Sequence, residues 1–579
     1  EISTLPFPWA RIHPKVTSVQ AEKVFVSGNV TYLDELIAVA CSSAASGSWE
    51  NFCGMLSRER MQFGLIVETQ SHVIACVDRV TSYPLFVWHN SGDCAVRILA
   101  DMREVMTPEH GAHFNANQGV VFRTCGYCVG TETLLQPLSR IMPGTFLVFD
   151  KRTGRYAMRR YFNFHPSTPT DRQIVDPGKG ELEGWHDRLE QCLRDAIARL
   201  IEQANGGRIW LALSAGFDSR VLLGSLVAAR YDNVATFSYG TPGNMEAKLA
   251  QAFAAKVGVP WYFIPPSPNA VEDSWRGSIA DYMFAGGGVS ATPAVTEIDA
   301  IMTLSRSDLA RPDDLYTNGQ TGDFISGAHL PPVTTCEPAS IAQWVRDKHF
   351  ALFSGSDGQL TVDRVTCLLE DSCRRNGSAR EAEASLSTAE CITASQTLEW
   401  RERQARYILN QQRAYDHLGL RWSLPLWDAD IIDLFNEAPF ALRYNQSLYS
   451  SFVRRWNVAG LFDEMRRPYD PWPMHKTGIT LAARAVGVVG GARAKAAAYK
   501  RLYYFSDQNY LAKRLGLRVF QAFIHEARSF GSLIHLDYLL RVKRVLGVAP
   551  ACDLERKYMR VQMQKLPAAA AVRGSSRAL

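Results

Sequence analysis

The sequence predicts a mixed fold, an α+β portion followed by an α/β portion built on a parallel sheet. Three observations predict it. Residues 1 to about 165 alternate short β-type runs with turn residues. From Ile209 to Ile264 strand and helix patterns alternate, as in parallel βαβ units with a site at the strand C-terminal ends. Between the first of those strands and its helix lies a loop of mostly small residues, Ser214-Ala215-Gly216-Phe217-Asp218-Ser219.

Composition sets the limits. The chain has 579 residues, enough for two or three domains. It is 46% hydrophobic and 21% charged, ordinary for a globular protein. A net charge of +5 is small for this length, and no basic patch with interleaved aromatics points to nucleic acid. Leu481 to Ala498 comes nearest to an apolar run of 18 residues, but Arg484, Arg493 and Lys495 interrupt it, so no membrane partner is expected. The start lacks the basic-then-apolar layout of a signal peptide. Twelve cysteines show no paired spacing, and Cys125-Gly126-Tyr127-Cys128 is a lone C-x-x-C. Buried thiols in a reducing cytoplasm are expected rather than zinc.

In chain order, strands are expected at Val24 to Ser27, Phe63 to Glu68, His72 to Val77, Leu85 to His89 and Thr145 to Phe149. Ser27-Gly28-Asn29 and Met142-Pro143-Gly144 read as turns. Pro166 to Gly180 reads as a linker. Trp185, Leu189, Cys192, Leu193, Ile197, Leu200 and Ile201 then form the apolar stripe of a helix. Ile209 to Leu213 is a short buried strand, and Val221, Leu222, Ser225 and Leu226 recur at helical spacing after the loop. Val234 to Tyr239 and Trp261 to Ile264 are further strands, separated by a turn at Gly240 to Asn244 and a helix facing inward with Ala247, Ala250, Phe253 and Val257. Glu337 to Ser395 is charged and helical without evident chemistry, and Gln404 to Asp416 is polar and helical. Residues 481 to 565 read as helices, and Pro567 to Leu579 as a disordered tail.

The loop after Leu213 has the layout that holds a phosphate. Backbone N–H groups at a helix start point outward, and the helix dipole favours an anion there. Ser214 and Ser219 add hydroxyls. The carboxylate of Asp218 would repel phosphate unless a divalent cation lies between them, since Mg²⁺ is usually held by one or two carboxylates plus substrate phosphates. No Gly-Lys-Ser/Thr follows, so this is not a Walker A loop.

This SAGFDS loop resembles the Ser-Gly-Gly-x-Asp-Ser pyrophosphate loop of the asparagine synthetase family and its ATP-pyrophosphatase relatives, with Ala215 for the first glycine. Leu315 to Ala328, LYTNGQTGDFISGA, resembles the family's Gly-Glu-Gly-x-Asp-Glu loop. There Gly319 and Asp323 match, and Gln320, Thr321 and Phe324 replace a glutamate, a glycine and the second glutamate. Leu424-Pro425-Leu426-Trp427-Asp428 resembles Val-Pro-Phe-Leu-Asp, with Ser423 at the family's arginine and Arg421 close by. Asn445 to Arg455 resembles a segment carrying a lysine and an arginine, of which Arg454 or Arg455 keeps the arginine. His475-Lys476-Thr477-Gly478-Ile479 is similar to Lys-x-Gly-Phe.

The first part resembles the family's glutaminase-type domain. Ser27-Gly28-Asn29-Val30 with Glu35-Leu36, Asp78-Arg79 with Tyr83-Pro84-Leu85-Phe86, Asp101-Met102-Arg103 and Pro143-Gly144-Thr145 succeed one another in that family's order. The second of these stands for Arg-Asp-x-x-Gly-x-x-Pro-Leu-Tyr. A working glutaminase half begins with a nucleophilic cysteine; this chain begins Glu1-Ile2-Ser3, its first cysteine is Cys41, and no glutamine-gripping arginine segment is found. The resemblance therefore implies a retained scaffold that makes no ammonia.

The resemblance further implies an Ntn-hydrolase-like β-sandwich over 1–165, a linker over 166–180, an ATP-pyrophosphatase (HUP-like) domain over 181–480, a helical extension over 481–565 and a tail over 566–579. ATP and Mg²⁺ are the cofactors it implies. Leu213, Ser214, Ala215, Gly216, Phe217, Asp218, Ser219, Ser238, Gly319 and Gly322 would bind nucleotide, with Tyr239 also beside the adenine. Asp218 and Asp323 would face each other across metal and pyrophosphate, and Lys476 would stabilise charge in the transition state. Glu246 either complements its helix dipole or touches a ligand. The implied reaction turns a carboxylate into an acyl-adenylate, and an amine or ammonia then displaces AMP. The acid is aspartate-like or another small acid such as a uronic acid. The partners are that carboxylate, an amine or ammonia donor, a separate glutaminase or a peptide substrate, and a second copy in a homodimer. β-Lactam synthetases and lasso-peptide cyclases, which have the same halves and lack the terminal cysteine, make an amide-bond cyclase the alternative. A nucleotide-binding scaffold without catalysis is a third reading.

Overall fold

Alternation along the early strands divides two cores. In this computed structural model the described residues are 10–12, 21–89, 96–102, 105–106, 111–175, 182, 184–265, 282, 289–332, 337–375, 386–463, 473–505 and 514–563. The first part contains β1 (Ala10–Ile12), β2 (Ala21–Gly28), β3 (Phe63–Thr69), β4 (His72–Val77), β5 (Phe86–His89), β6 (Val96–Leu99), β7 (His113–Phe114), β8 (Leu135–Gln136), β9 (Leu138–Arg140), β10 (Thr145–Asp150) and β11 (Arg155–Arg160). Its helices are α1 (Leu33–Ser46), α2 (Glu50–Arg58) and α3 (Ala116–Cys125). Six strands make an antiparallel sheet in the order β1-β2-β3-β4-β10-β11, and β6-β5-β9 make a second. Leu65 pairs with Cys76, which pairs with Phe146, so these three share a face. That face packs with Leu36, Ile37, Phe52 and Leu56 of α1 and α2. The alternate residues Ile66, Ala75 and Leu147 join the main core with Phe86, Trp88 and Ile98 of the smaller sheet. The period of two thus buries both faces of β3 and β4.

The second part opens with α4 (Asp171–Val175), inside the stretch read as a linker, and α5 (Trp185–Ala204). Residues 176–180 of that stretch lie outside the described set. Then come β12 (Ile209–Ala212), α6 (Phe217–Ala228), β13 (Val234–Tyr239), α7 (Met245–Lys256), β14 (Trp261–Ile264), β15 (Leu315–Asn318) and β16 (Arg421–Ser423). The stripe of α5 buries Leu189, Leu193, Ile197 and Leu200 as its spacing predicts. All neighbours in the sheet are parallel, in the order β14-β13-β12-β15-β16. Chain order reverses direction between β12 and β15. Loops leaving those two strands diverge, which opens a crevice at their C-terminal ends.

Helices Pro338–His349, Val362–Arg375 and Thr388–Leu398 surround a core of their own that includes Ile341, Leu369 and Ile392. From it the chain continues as a π-helix, Glu399–Ile408. The halves are bolted together by side chains. The Gln62 carboxamide donates to the Leu424 carbonyl at 3.2 Å and accepts from its N–H at 3.1 Å, and Arg79 pairs with Asp433 at 2.6 Å. Helix Phe530–Val545 lies on α3, where Arg123 and Lys543 meet the buried Glu555 at 2.8 and 2.6 Å. The C-terminal helices therefore close back on the first part rather than trailing from the second. β11 had no hydrophobic signature because it is an exposed edge strand carrying Arg155, Arg159 and Arg160.

Candidate functional site

The first loop is tied to itself. Leu213 extends the β12 ladder by donating to the Phe237 carbonyl at 2.8 Å. The Ser214 N–H donates to Ser219 Oγ at 3.1 Å, and the Gly216 N–H to Ser214 Oγ at 3.1 Å. Gly216 caps α6 at φ −66°. Ala215 has no positive φ and is buried. Alanine in place of the motif's glycine is therefore unstrained. Its N–H donates to the Glu246 carboxylate, whose pKa burial raises. Glu246 thus braces the loop from α7 and lines the cavity, besides standing at a helix start.

Beneath the loop lies Arg220, fully buried. It donates to the Gly216 carbonyl at 3.2 Å and the Leu461 carbonyl at 3.0 Å. The rings of Phe217, Phe253 and Phe462 surround its guanidinium at 4.9, 4.7 and 5.1 Å. Burial pushes its pKa down to about 10, so it remains a cation at neutral pH. It sets a positive charge under the helix start, where an anion would sit.

The second loop, after β15, packs directly on the first. A Cβ on Gly319 would lie 2.7 Å from the Ser219 nitrogen, and one on Gly322 would lie 2.6 Å from Asp218 Oδ1. The glycines are there for close approach. Asp218 Oδ2 accepts from the Asp323 N–H at 3.1 Å, and Oδ1 accepts from the Tyr449 hydroxyl at 2.9 Å. Asp323 Oδ1 accepts from the Phe324 N–H at 2.7 Å and the Thr321 hydroxyl at 3.0 Å, while Oδ2 faces His329 Nε2 at 3.3 Å. Burial alone would raise the Asp323 carboxyl, but His329 and these donors hold it below its ordinary value. His329 contacts Glu399, which His349 faces at 3.3 Å and Arg403 at 3.0 Å. Burial opposes a charged His329, yet the carboxylates of Glu399 and Asp323 outweigh it and raise its pKa.

The two residues that replace glutamates differ in fate. Gln320 joins its carboxamide to those of Gln411 and Gln412. Phe324 is a core residue, with ring centroids 5.4 Å from Phe164 and 6.0 Å from Trp427. The π-helix supplies much of the loop's support, through Glu399 and through Gln404, which accepts from Thr321 at 3.2 Å. π-Helical segments occur often at functional sites.

Between the loops is a cavity of about 360 Å³. Leu213, Ser214, Gly216, Asp218, Ser219, Ser238, Gly319 and Asp323 line it, with Tyr239 also on its wall. The size falls in the range of small-molecule pockets. Ala215, Phe217 and Gly322 are not among its lining residues. Phe217 faces Arg220 and Phe462 in the core, and Gly322 stands behind Asp218. Ser238 donates to the Leu213 carbonyl at 2.7 Å and accepts from Trp261 at 3.0 Å, which ties β13 to the loop. Glu297 also lines the cavity; it accepts from the Tyr415 hydroxyl at 2.5 Å, and burial pushes its pKa up to about 7.

Other candidates stand elsewhere. Lys476 belongs to the first turn of helix Pro473–Phe505, and its side chain lies outside the described set, as does Arg103. Arg421 donates to the carbonyls of Gln203 and Asp313, at the strand end away from the cavity, and does not replace the arginine lost at Ser423. Arg455 pairs with Asp187 at 3.0 Å, and Arg454 is exposed; the cavity-side residue of that helix is Tyr449. Asp428 caps the next helix and takes a two-point contact from Arg199 at 2.7 and 2.8 Å. Cys125 and Cys128 are buried free thiols, and burial pushes Cys128 up to about 12. Tyr449, His329, Glu399, Gln411 and Glu297 were not singled out in the sequence. The one available signal was polarity at positions a helix would otherwise bury.

No curated protein matches the chain. Among solved structures it is similar to glutamine phosphoribosylpyrophosphate amidotransferase from B. subtilis, complexed with ADP and GMP. The identity is 10%, over 64% of this chain and 76% of that one, with a TM-score of 0.16. Residues 188–456, which carry both loops and the whole parallel sheet, match the asparagine synthase family. Through that domain the chain is similar to the asparagine synthase family.

Proposed function

We propose that this protein is an AMP-forming amide ligase that joins a small carboxylic acid to an amine or ammonia and has no glutaminase activity of its own. One observation carries the reading. Two loops at the topological switch point meet with Asp218, Asp323 and the hydroxyls of Ser214 and Ser219 on one cavity, above the buried cation of Arg220. A nucleotide triphosphate is the ligand that this combination of N–H groups, hydroxyls, buried cation and carboxylates suits.

Asp218 and Asp323 are the residues that would hold Mg²⁺. They offer the oxygen donors this ion takes, on adjoining loops of one cavity. Bound there, the ion would neutralise charge on the leaving pyrophosphate. Gln320 and Phe324 leave fewer carboxylates than the family's loop, and His329 adds a positive partner to Asp323.

In the proposed reaction an oxygen of the acid attacks the α-phosphorus of ATP. An acyl–phosphate bond forms, the α–β bond breaks, and pyrophosphate leaves. The amine then attacks the acyl carbon, AMP leaves and the nitrogen gives up a proton. Glu297, with a pKa near neutrality, is the cavity group suited to accept it. The first loop pins the β,γ-phosphates so that attack is in line, which is catalysis by positioning and charge. At the seam of the halves, a cleft lined by Glu59, Gln62, Asp78 and Arg79 measures about 10 Å³, room for a water and not an amino acid.

The test is the identity of the nucleotide products. ATP incubated with paired acids and amines should yield AMP and pyrophosphate in equal amounts with amide. ADP and phosphate, or ATP turnover without amide, would sink the reading.

A further inference from the structure

Helix Pro473–Phe505 breaks at Gly491, where φ is +74°. A Cβ on Gly487 would lie 2.8 Å from the Lys495 Cβ. Eight residues of continuous helix span about 12 Å, so the chain has reversed and this stretch is a hairpin. Just before the turn stand Val488 and Val489, 87% and 93% exposed, with Leu481 at 58% and Val486 at 45% further back on the same arm. Ala483, which is buried, and Ala497, which packs against the main core, root the hairpin in the protein. Arg484, Arg493 and Lys495 are exposed on the same hairpin. Between Asp470 and Asp507 the sequence contains no Asp or Glu, while Lys476, Lys500 and Arg501 add to the basic charge.

We propose that this hairpin seats the protein on an anionic lipid bilayer, with Val488 and Val489 entering the headgroup region and Arg484, Arg493 and Lys495 paired with the lipid charges. Val488 and Val489 stand beside the turn and are almost fully exposed. A bilayer can bury such a pair, since interfacial segments sink about 5–10 Å into the headgroup boundary. A second copy of this chain would bring like charges against the first. An acidic protein surface would satisfy these charges yet leave an exposed pair of valines wet unless it also held a matching pit. Among the described residues no helix is long and apolar enough to cross a membrane. Seating makes a smaller demand than crossing: a few apolar side chains and a basic rim, each Lys or Arg near an anionic surface adding roughly a fivefold gain in affinity.

The test is flotation of the full chain with phosphatidylcholine vesicles, with and without phosphatidylglycerol. The chain should float with the anionic vesicles and be released by salt. V488D/V489D and R493E/K495E should each weaken association by about tenfold or more. Both pairs are exposed, so melting temperature and ATP binding should not change. In V489W the new indole should blue-shift when anionic vesicles are added. Failure of the wild type to float, association unchanged in V488D/V489D, or no shift in V489W would each overturn the proposal. So would capture by soluble polyglutamate that outcompetes the vesicles, which would point to an acidic polypeptide instead.

Discussion

The backbone N–H of Asp323 donates to the side chain of Asp218 at 3.1 Å, across 105 residues of sequence. The two carboxylates, which the family resemblance implies face each other across a ligand, are thus linked through the protein. Tyr449 completes the arrangement by donating to the other oxygen of Asp218 at 2.9 Å.

Tyr449→Phe tests that coupling. It removes a hydrogen bond to a charged group, worth about 1.5–3 kcal/mol. The Mg-ATP concentration for half-maximal turnover should rise about tenfold or more, read from steady-state kinetics, with the fold intact by circular dichroism. An unchanged value would show that Asp218 does not need its hydroxyl partner.

Gly322→Ala should be far more damaging than Gly216→Ala. The new Cβ at 322 would meet the Asp218 carboxylate at 2.6 Å, whereas at 216 it meets only Ser214 Oγ at 3.1 Å, on backbone any residue adopts. Overpacking of this kind costs about 1–3 kcal/mol. Adenylation should fall about a hundredfold in the first variant and less than about threefold in the second. Parallel measurements of ATP turnover and urea midpoints separate the site effect from general instability.

Glu297 makes stability depend on pH. Its pKa rises from the ordinary 4.5 to about 7 in the folded protein, chiefly through burial. Between those values the unfolded chain has lost a proton that the folded one keeps. Stability therefore falls as pH rises through this window and is level for this group above and below it. The change is on the order of 3 kcal/mol. Denaturant titrations from pH 4.5 to 7 should show a shallower fall for Glu297→Gln than for the wild type. Equal slopes would contradict the assignment.

Much of the fold was legible because burial writes a period into the sequence. β13 and β14 stand at the expected residues, and the stripe of α5 faces the core. Asp218 was found from the small-residue loop between a strand and a helix, and Asp323 from the resemblance of its segment to the family's second loop; both stand where close approach constrains their neighbours. Tyr449 and Glu399 were not, because each reaches the site from a helix distant in sequence whose own pattern carries no periodic mark of that contact. Phe324 shows the opposite limit. Its motif position marked only a lost carboxylate, and packing against Phe164 and Trp427 makes it core.

Thr81 illustrates how a motif can outlast its residue. It falls where Arg-Asp-x-x-Gly-x-x-Pro has glycine, and its φ is +57°. A β-branched residue in that region costs about 1–2 kcal/mol. Its buried hydroxyl has no hydrogen-bond partner among the described residues. Asp78 holds the turn regardless, accepting from the N–H groups of Phe63, Val80 and Ser82. Thr81→Gly should raise stability by about 0.5–1 kcal/mol after the entropy of glycine is counted, visible as a higher urea midpoint. A lower midpoint would mean that the threonine packs better than its conformation suggests.

The most direct measurement is ATP–pyrophosphate exchange with a panel of carboxylic acids, on the wild type and on Asp218→Ala and Asp218→Asn. If the cavity adenylates an acid, exchange will depend on one class of acid and on Mg²⁺, and both variants will lose it while keeping the wild-type melting temperature. Exchange that persists in both variants, or its absence with every acid although Mg-ATP binds, would contradict a small-acid ligase built on the meeting of these two loops.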